Sequence, residues 1–356
     1  MMCKRKLIIV IIIALCSSVS FAESPLIFQG LFDMRFVSSS TSQGGRTRFN
    51  SESRGFDIGR LAFAVSKEVK PGVDFYTQLD FRGTMNSLGA RGVLVNEAWL
   101  KFNPFVGRMS GRFGSYALPF SLAYGEPMRT TTWTITPSAL DTFFEGIRIT
   151  GMEVSKGYEV PGHHFNWQFG GGSGVDNVTL YDYSWRFSEE PPVNNGFEND
   201  GSMAFYGYIG KFRSNSCKRG RLSWHTGFFI NNAQNGDDTQ FVLFDAQFWK
   251  PYWGIVVQGM LGASQRGNAE RETDVSQVSL WAKVDRRLSG FLRYDHFNLE
   301  DTQGNAIDRG HGITLAWSYK VRKGELLQAE WMEPSVSVGS GQSARTQWQL
   351  RYRVTF

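Results

Sequence analysis

The stretch TQWQLRYRVTF, residues 346–356, decides the fold. Trp348, Leu350, Tyr352, Val354 and Phe356 alternate with Gln349, Arg351, Arg353 and Thr355 up to the last residue. A period of two sends the apolar and polar sets to opposite faces of a strand. In a water-soluble sheet the apolar face packs on a core. In a barrel crossing a bacterial outer membrane the apolar face meets lipid and the polar face a wet interior.

The rest of the chain discriminates between the two. Leu26, Phe28, Phe32, Met34 and Phe36 oppose Gln29, Asp33 and Arg35. Val73, Phe75, Leu79 and Phe81 oppose Asp74, Tyr76, Gln78, Asp80 and Arg82. Short punctuators such as KPYWG, RRLSG and RKGE alternate with longer polar stretches such as SSSTSQGGRTRFNSES, NLEDTQGNAIDRG and EPSVSVGSGQSAR. Short turns on one side and long loops on the other are the connections of an outer-membrane barrel. Seven short turns and eight long loops predict about sixteen strands. A terminal aromatic strand of this kind also resembles the sorting signal that such barrels present to their assembly machinery, with Tyr352 and Phe356 as its carriers.

Mean hydropathy is −0.28, yet aromatic residues make up 15% of the chain. A barrel produces that combination, because polar residues interrupt every lipid-facing run while aromatic girdles accumulate Phe, Tyr and Trp. No apolar run beyond the N-terminal segment is long enough for a membrane-crossing helix. The opening MMCKRKLIIVIIIALCSSVSFAESP carries a basic Lys4-Arg5-Lys6, an apolar run from Leu7 to Cys16 and a Ser20-Phe21-Ala22 cleavage site. It reads as a Sec signal peptide, residues 1–22, removed on export. Leu15 before Cys16 is too large for a lipoprotein signal. Removing three positive charges takes the formal net charge from +5 to +2, which disfavours a nucleic-acid partner. Cys3 and Cys16 leave with the signal, so Cys217 has no partner for an internal disulfide. Residues 23–356 carry no linker and read as one all-β, transmembrane antiparallel β-barrel. A soluble sandwich gives no account of the alternating connections.

Gly114-Ser115-Tyr116-Ala117-Leu118-Pro119-Phe120-Ser121 resembles the Gly-x-aromatic-Lys-x-Pro-Phe-Ser/Gly signature of the phosphate-selective porin (porin O/P) family. The upstream NEAWLKFNP, and the downstream TPSALDTFFEGIRITGME, resemble that family's neighbouring strands and constriction-loop exit. The resemblance implies a sixteen-stranded, homotrimeric porin in the outer membrane of a Gram-negative-type cell. The resemblance further implies a passive channel for small hydrophilic or anionic solutes, with phosphate-like anions as the preferred class. The chain departs from the signature at Ala117, where the family carries a lysine that helps hold the anion.

Porin selectivity comes from charge, hydrogen bonding and width at the narrowest point. Arg60, Arg82, Arg108, Arg112, Arg148, Arg293, Arg351 and Arg353 are the candidate pore-lining residues, and Arg35, Arg213, Arg221, Lys283 and Lys320 share the polar face. The arginine fork suits phosphate and carboxylate. Asp33, Asp74, Asp80, Glu97, Asp245, Asp285, Asp295 and Glu330 fall on the same face. Pairs two apart, such as Asp33 with Arg35 and Arg293 with Asp295, point instead to a salt-bridged wall of modest selectivity. The connection at residues 121–146 is the candidate constriction loop, carrying Glu126, Arg129, Asp141 and Glu145. Arg148 leaves it directly and is expected to face the narrowing. In the longest connection, Tyr181, Tyr183, Trp185 and Phe187 predict a hairpin extending the barrel.

Two other classes stay open. An adhesin or structural barrel with a plugged lumen shares every feature above. An outer-membrane enzyme needs a nucleophile and base, for which Ser223 and His225, two apart on one strand, are weak candidates. There is no G-x-S-x-G and no H-E-x-x-H, and no cofactor or metal is expected.

Overall fold

The computed structural model describes residues 24–43, 46–49, 55–81, 93–106, 109–118, 148–160, 163–173, 203–212, 221–232, 238–266, 269–301, 306–338 and 341–356. Phe120, Thr134, Ile135, Ser138, Leu140, Gln303 and Gly304 are described between them. The signal segment, Arg82, Arg108, the four charged residues of the candidate constriction loop and the Tyr181–Phe187 stretch lie outside these residues.

Strands β1 (Ile27–Gln43), β2 (Arg46–Phe49), β3 (Gly55–Lys70), β4 (Val73–Phe81), β5 (Val93–Phe102) and β6 (Ser110–Ala117) begin one antiparallel sheet. It continues through β7 (Arg148–Val160), β8 (His163–Ser173), β9 (Met203–Phe212), β10 (Arg221–Asn232), β11 (Thr239–Trp249) and β12 (Trp253–Arg266). It ends with β13 (Ala269–Lys283), β14 (Leu288–Asp301), β15 (Ala306–Arg322), β16 (Glu325–Val338) and β17 (Gly341–Thr355). Neighbours in sequence pair in space, and β1 pairs with β17, so the wall closes. β2 and β3 both pair with the same edge of β1, at Ser40–Gln43 and Ile27–Val37 respectively. They share one place in the wall, and seventeen segments make a barrel of sixteen staves.

The faces are inverted relative to a soluble protein. Trp348, Leu350 and Phe356 are 57%, 46% and 70% exposed, whereas Arg351 and Arg353 between them are 1% and 4% exposed. Phe28, Phe205, Val242, Leu261 and Tyr294 repeat the outward pattern on other staves. An apolar belt of that extent is a liability in water and the natural outer surface in lipid.

The connections depart from expectation on one side. Most of NLEDTQGNAIDRG and EPSVSVGSGQSAR, read as long loops, is strand: β14 runs to Asp301, β15 restarts at Ala306, and β16 turns into β17 between Val338 and Gly341. SSSTSQGGRTRFNSES likewise holds the end of β1 and all of β2. Backbone pairing such as Arg309 with Ser337 continues there without an apolar face. Alternation of apolar residues reports only the stretch that touches lipid, so the polar extensions gave no strand signal. Asp285, expected on the inner face, instead sits in the β13–β14 turn, accepting from the backbone N–H of Arg287 at 2.5 Å and of Leu288 at 2.7 Å. Those two donors hold its carboxyl below the usual carboxylate range.

The chain end completes the closure. Gly30 N–H donates to the Phe356 carbonyl at 2.7 Å, and Phe356 N–H donates back at 3.1 Å. With no Cβ on Gly30, the Phe356 ring lies directly over its backbone, edge-on to Phe63 at 6.3 Å. Gly30→Val puts methyl groups where that ring sits and is expected to cost about 1–3 kcal/mol. The expected readout is a lower temperature for loss of the compact, heat-modifiable band on electrophoresis.

Candidate functional site: the charged lumen and its inserted strap

Because the strands alternate, every second residue enters the lumen, and the polar ones meet one another across neighbouring staves. Asp33 on β1, fully buried, accepts from Arg35 at 3.3 Å and from Arg351 and Arg353 of β17 at 3.4 Å each. Arg351 also donates through Nε to Gln328 on β16 at 2.8 Å. On the other side of the barrel Arg112 of β6 pairs with Glu153 of β7 at 2.6 Å, and the Tyr206 hydroxyl donates to the same carboxylate. The Arg112 guanidinium lies 4.2 Å from the Tyr116 ring centroid and 5.7 Å from that of Trp99. Arg293 on β14 pairs with Asp295 at 2.7 Å. Asp245 on β11 binds His225 Nδ1 at 2.9 Å, Gln247 at 2.9 Å and Gln258 at 2.7 Å. A charge removed from water needs such partners, since its desolvation otherwise costs several kcal/mol.

The β6–β7 connection enters this space. Leu118, Phe120 and Leu140 are buried among inward apolar residues of the wall, including Tyr116, Ile149, Phe229, Phe241 and Met260. The Phe120 ring meets Tyr206 edge-on at 5.8 Å and Phe241 at 6.4 Å. Farther along the connection, Ile135 N–H donates to Glu330 of β16 at 2.6 Å. Arg293 donates to the Thr134 hydroxyl at 2.7 Å, and Arg351 to the Thr134 carbonyl at 3.2 Å. Thr134 and Ile135 thus form a strap anchored to β14, β16 and β17, while Phe120 and Leu140 hold the apolar wall. Inward-facing groups around the barrel are correspondingly shielded: Gln78, Gln258, Gln328, Thr314 and Glu330 are each 2% exposed or less.

The sequence-predicted residues divide accordingly. Arg112, Arg293, Arg351 and Arg353 lie in the lumen, each ion-paired, and two of them hold the strap. Arg60 of β3 is paired by backbone register with Asp33. Arg148 opens β7 opposite Ala117 by backbone register, and its side chain lies outside the described residues. Tyr352 and Phe356 lie on the outer face of the closing stave. Sequence reasoning missed the inward apolar patch of Phe229, Phe241, Met260 and Phe297. Its signal was Phe228-Phe229-Ile230, an apolar run with no polar gap, where both faces of the strand are apolar.

A closed sixteen-stave antiparallel wall, apolar outside and charged inside, is the fold of outer-membrane β-barrels. Solved structures of that class share it. DcaP, an outer membrane channel of Acinetobacter baumannii, superposes with a TM-score of 0.62 at 14% identity, covering 95% of this chain and 99% of that one. An anion-selective porin from Comamonas acidovorans gives 0.61 at 16% identity over 94% and 100%. OmpT, an outer membrane protein of Vibrio cholerae, gives 0.61 at 11% identity over 94% and 98%. At these identities the likeness is one of fold. No family model matches the chain, and no curated protein sequence does.

Glu153→Ala leaves the half-buried Arg112 without its carboxylate. The expected cost is about 3–5 kcal/mol, read as a lower urea midpoint for unfolding from detergent micelles.

Proposed function

We propose that the protein is an outer-membrane porin through which small hydrophilic solutes diffuse passively, without chemistry. The observation that carries this reading is the inversion of faces: buried, hydrated-type side chains line the inside of a wall whose outside is apolar. In this reading the lumen is narrowed where Thr134 and Ile135 are held by Arg293, Glu330 and Arg351. Its selectivity is weak. Arg112 and Arg293 each have their own carboxylate, whereas Arg35, Arg351 and Arg353 share Asp33, so the positive field is compensated in part and concentrated at that one cluster. The resemblance to the phosphate-selective porins adds a possible anion preference, but Ala117 supplies no amine at the signature lysine position.

The same shielding of inward groups favours one second reading, a barrel whose lumen is plugged. A catalytic role is disfavoured by the surroundings of Ser223 and His225, which are 4% and 6% exposed. His225 is held by Asp245, and Tyr208 stacks on its ring at 5.1 Å. Among the described residues no group of three or more His, Cys, Asp or Glu is placed to hold a metal. A homotrimer, export by the Sec signal and recognition of Tyr352 and Phe356 by the assembly machinery complete the proposal. OmpT of Vibrio cholerae has been solved in a trimer form.

Planar-bilayer recording tests the reading. Wild-type protein is expected to give small conductance steps with a reversal potential near zero in a tenfold KCl gradient. Glu330→Ala orphans the Ile135 N–H, at a cost of about 1–3 kcal/mol, and is expected to enlarge the steps by loosening the strap. Phosphate block with strong anion preference would establish a selective channel instead. Absence of steps in both proteins would overturn the channel in favour of a plugged barrel.

A further inference from the structure

The short turns carry a feature that conduction does not use. Three of them, β11–β12, β13–β14 and β15–β16, lie side by side and are knitted by backbone bonds. Lys283 N–H donates to the Tyr252 carbonyl at 2.7 Å, and Lys320 N–H donates to the Arg287 carbonyl at 2.9 Å. This strip exposes six bases, Lys250, Arg286, Arg287, Lys320, Arg322 and Lys323. It holds two acids, and both are engaged locally. Asp285 caps the N–H groups of its own turn, and Glu325 pairs with Arg322 at 2.5 Å. Six bases against two acids leave a local excess of four positive charges.

The bases do not stand apart from the apolar belt. Lys250 Nζ lies 5.3 Å from the Trp253 ring centroid and 5.9 Å from that of Phe248. The Arg287 side chain lies beside that of Tyr319, which raises its pKa. Tyr252 and Val284, at the turn tips, are 71% and 67% exposed. Cations seated on rings at the edge of a lipid-facing surface put charge at headgroup height and apolar groups at acyl height. Lysine or arginine near a membrane surface adds about 1 kcal/mol each toward anionic lipid.

We propose that this strip binds the phosphodiester headgroups of anionic phospholipids in the leaflet on the short-turn side. The complementarity is double: excess positive charge for the phosphate, and Tyr252, Trp253 and Tyr319 for the glycerol and upper acyl chain. An acidic soluble partner would use the bases but would leave the adjoining lipid-level aromatics without a role. The inference rests on the wall facing lipid and is independent of whether the lumen conducts.

The test is native mass spectrometry of the full-length mature barrel in micelles doped with equal palmitoyl-oleoyl phosphatidylglycerol and phosphatidylcholine. Wild type is expected to retain phosphatidylglycerol in about tenfold excess. The combined Lys250→Glu, Arg286→Glu and Lys320→Glu variant is expected to fall to parity, with folding checked by heat-modifiability. The milder Lys250→Gln, Arg286→Gln and Lys320→Gln set is expected to give the same loss and covers the case in which the reversals do not fold. Equal retention of both lipids by wild type would overturn the proposal, as would an unchanged preference in the folded glutamine variant. So would binding of a soluble polyglutamate peptide with indifference to phosphatidylglycerol, which would make the strip a protein-docking face. A barrel that conducts in phosphatidylcholine yet shows no lipid preference rejects the strip alone.

Discussion

Closure of β1 against β17 is the constraint on which the remaining structure depends. In hydrocarbon an unpaired strand edge leaves a row of N–H and C=O groups without water, at several kcal/mol per group. The register from Leu31 with Thr355 to Gln43 with Ser343 removes that edge, and the reciprocal Gly30–Phe356 bonds carry it to the last residue. Phe356 therefore does two things at once. Its backbone finishes the ladder, and its ring covers the backbone that Gly30 leaves bare.

Once the wall is closed, the interior becomes the place where charge must be accommodated. The bases and acids there are arranged as short-range groups: Asp33 under three arginines, Glu153 between Arg112 and Tyr206, Asp245 among His225, Gln247 and Gln258. Such groups keep the wall charged without building one continuous positive track. They also give the inserted segment something to hold. The strap uses two chemistries on two sides, apolar packing through Phe120 and Leu140 and hydrogen bonding through Thr134 and Ile135.

The outer surface divides by height in the same way. Apolar residues occupy the belt, strand extensions beyond it become polar on both faces, and the short turns gather bases over aromatic rings. Each zone follows from the medium it meets: hydrocarbon, water, or the headgroup region between them.

The period-two pattern of Trp348 to Phe356, and its repeats, determined the barrel, its lipid-facing side and about sixteen strands, because lipid contact imposes a local rule on every second residue. Turn chemistry such as that of Gly324, at φ +79° between β15 and β16, was equally local. What the tertiary structure decided depended on residues far apart in sequence. The ends of the strands beyond the belt came from backbone pairing that carries no side-chain signature. The roles of Arg293 and Arg351 came from Thr134, more than 150 positions away in each case. The inward apolar patch made sense only with Phe120 and Leu140 packed on it. Alternation says which face a residue occupies; only closure of the wall says what waits on the other side.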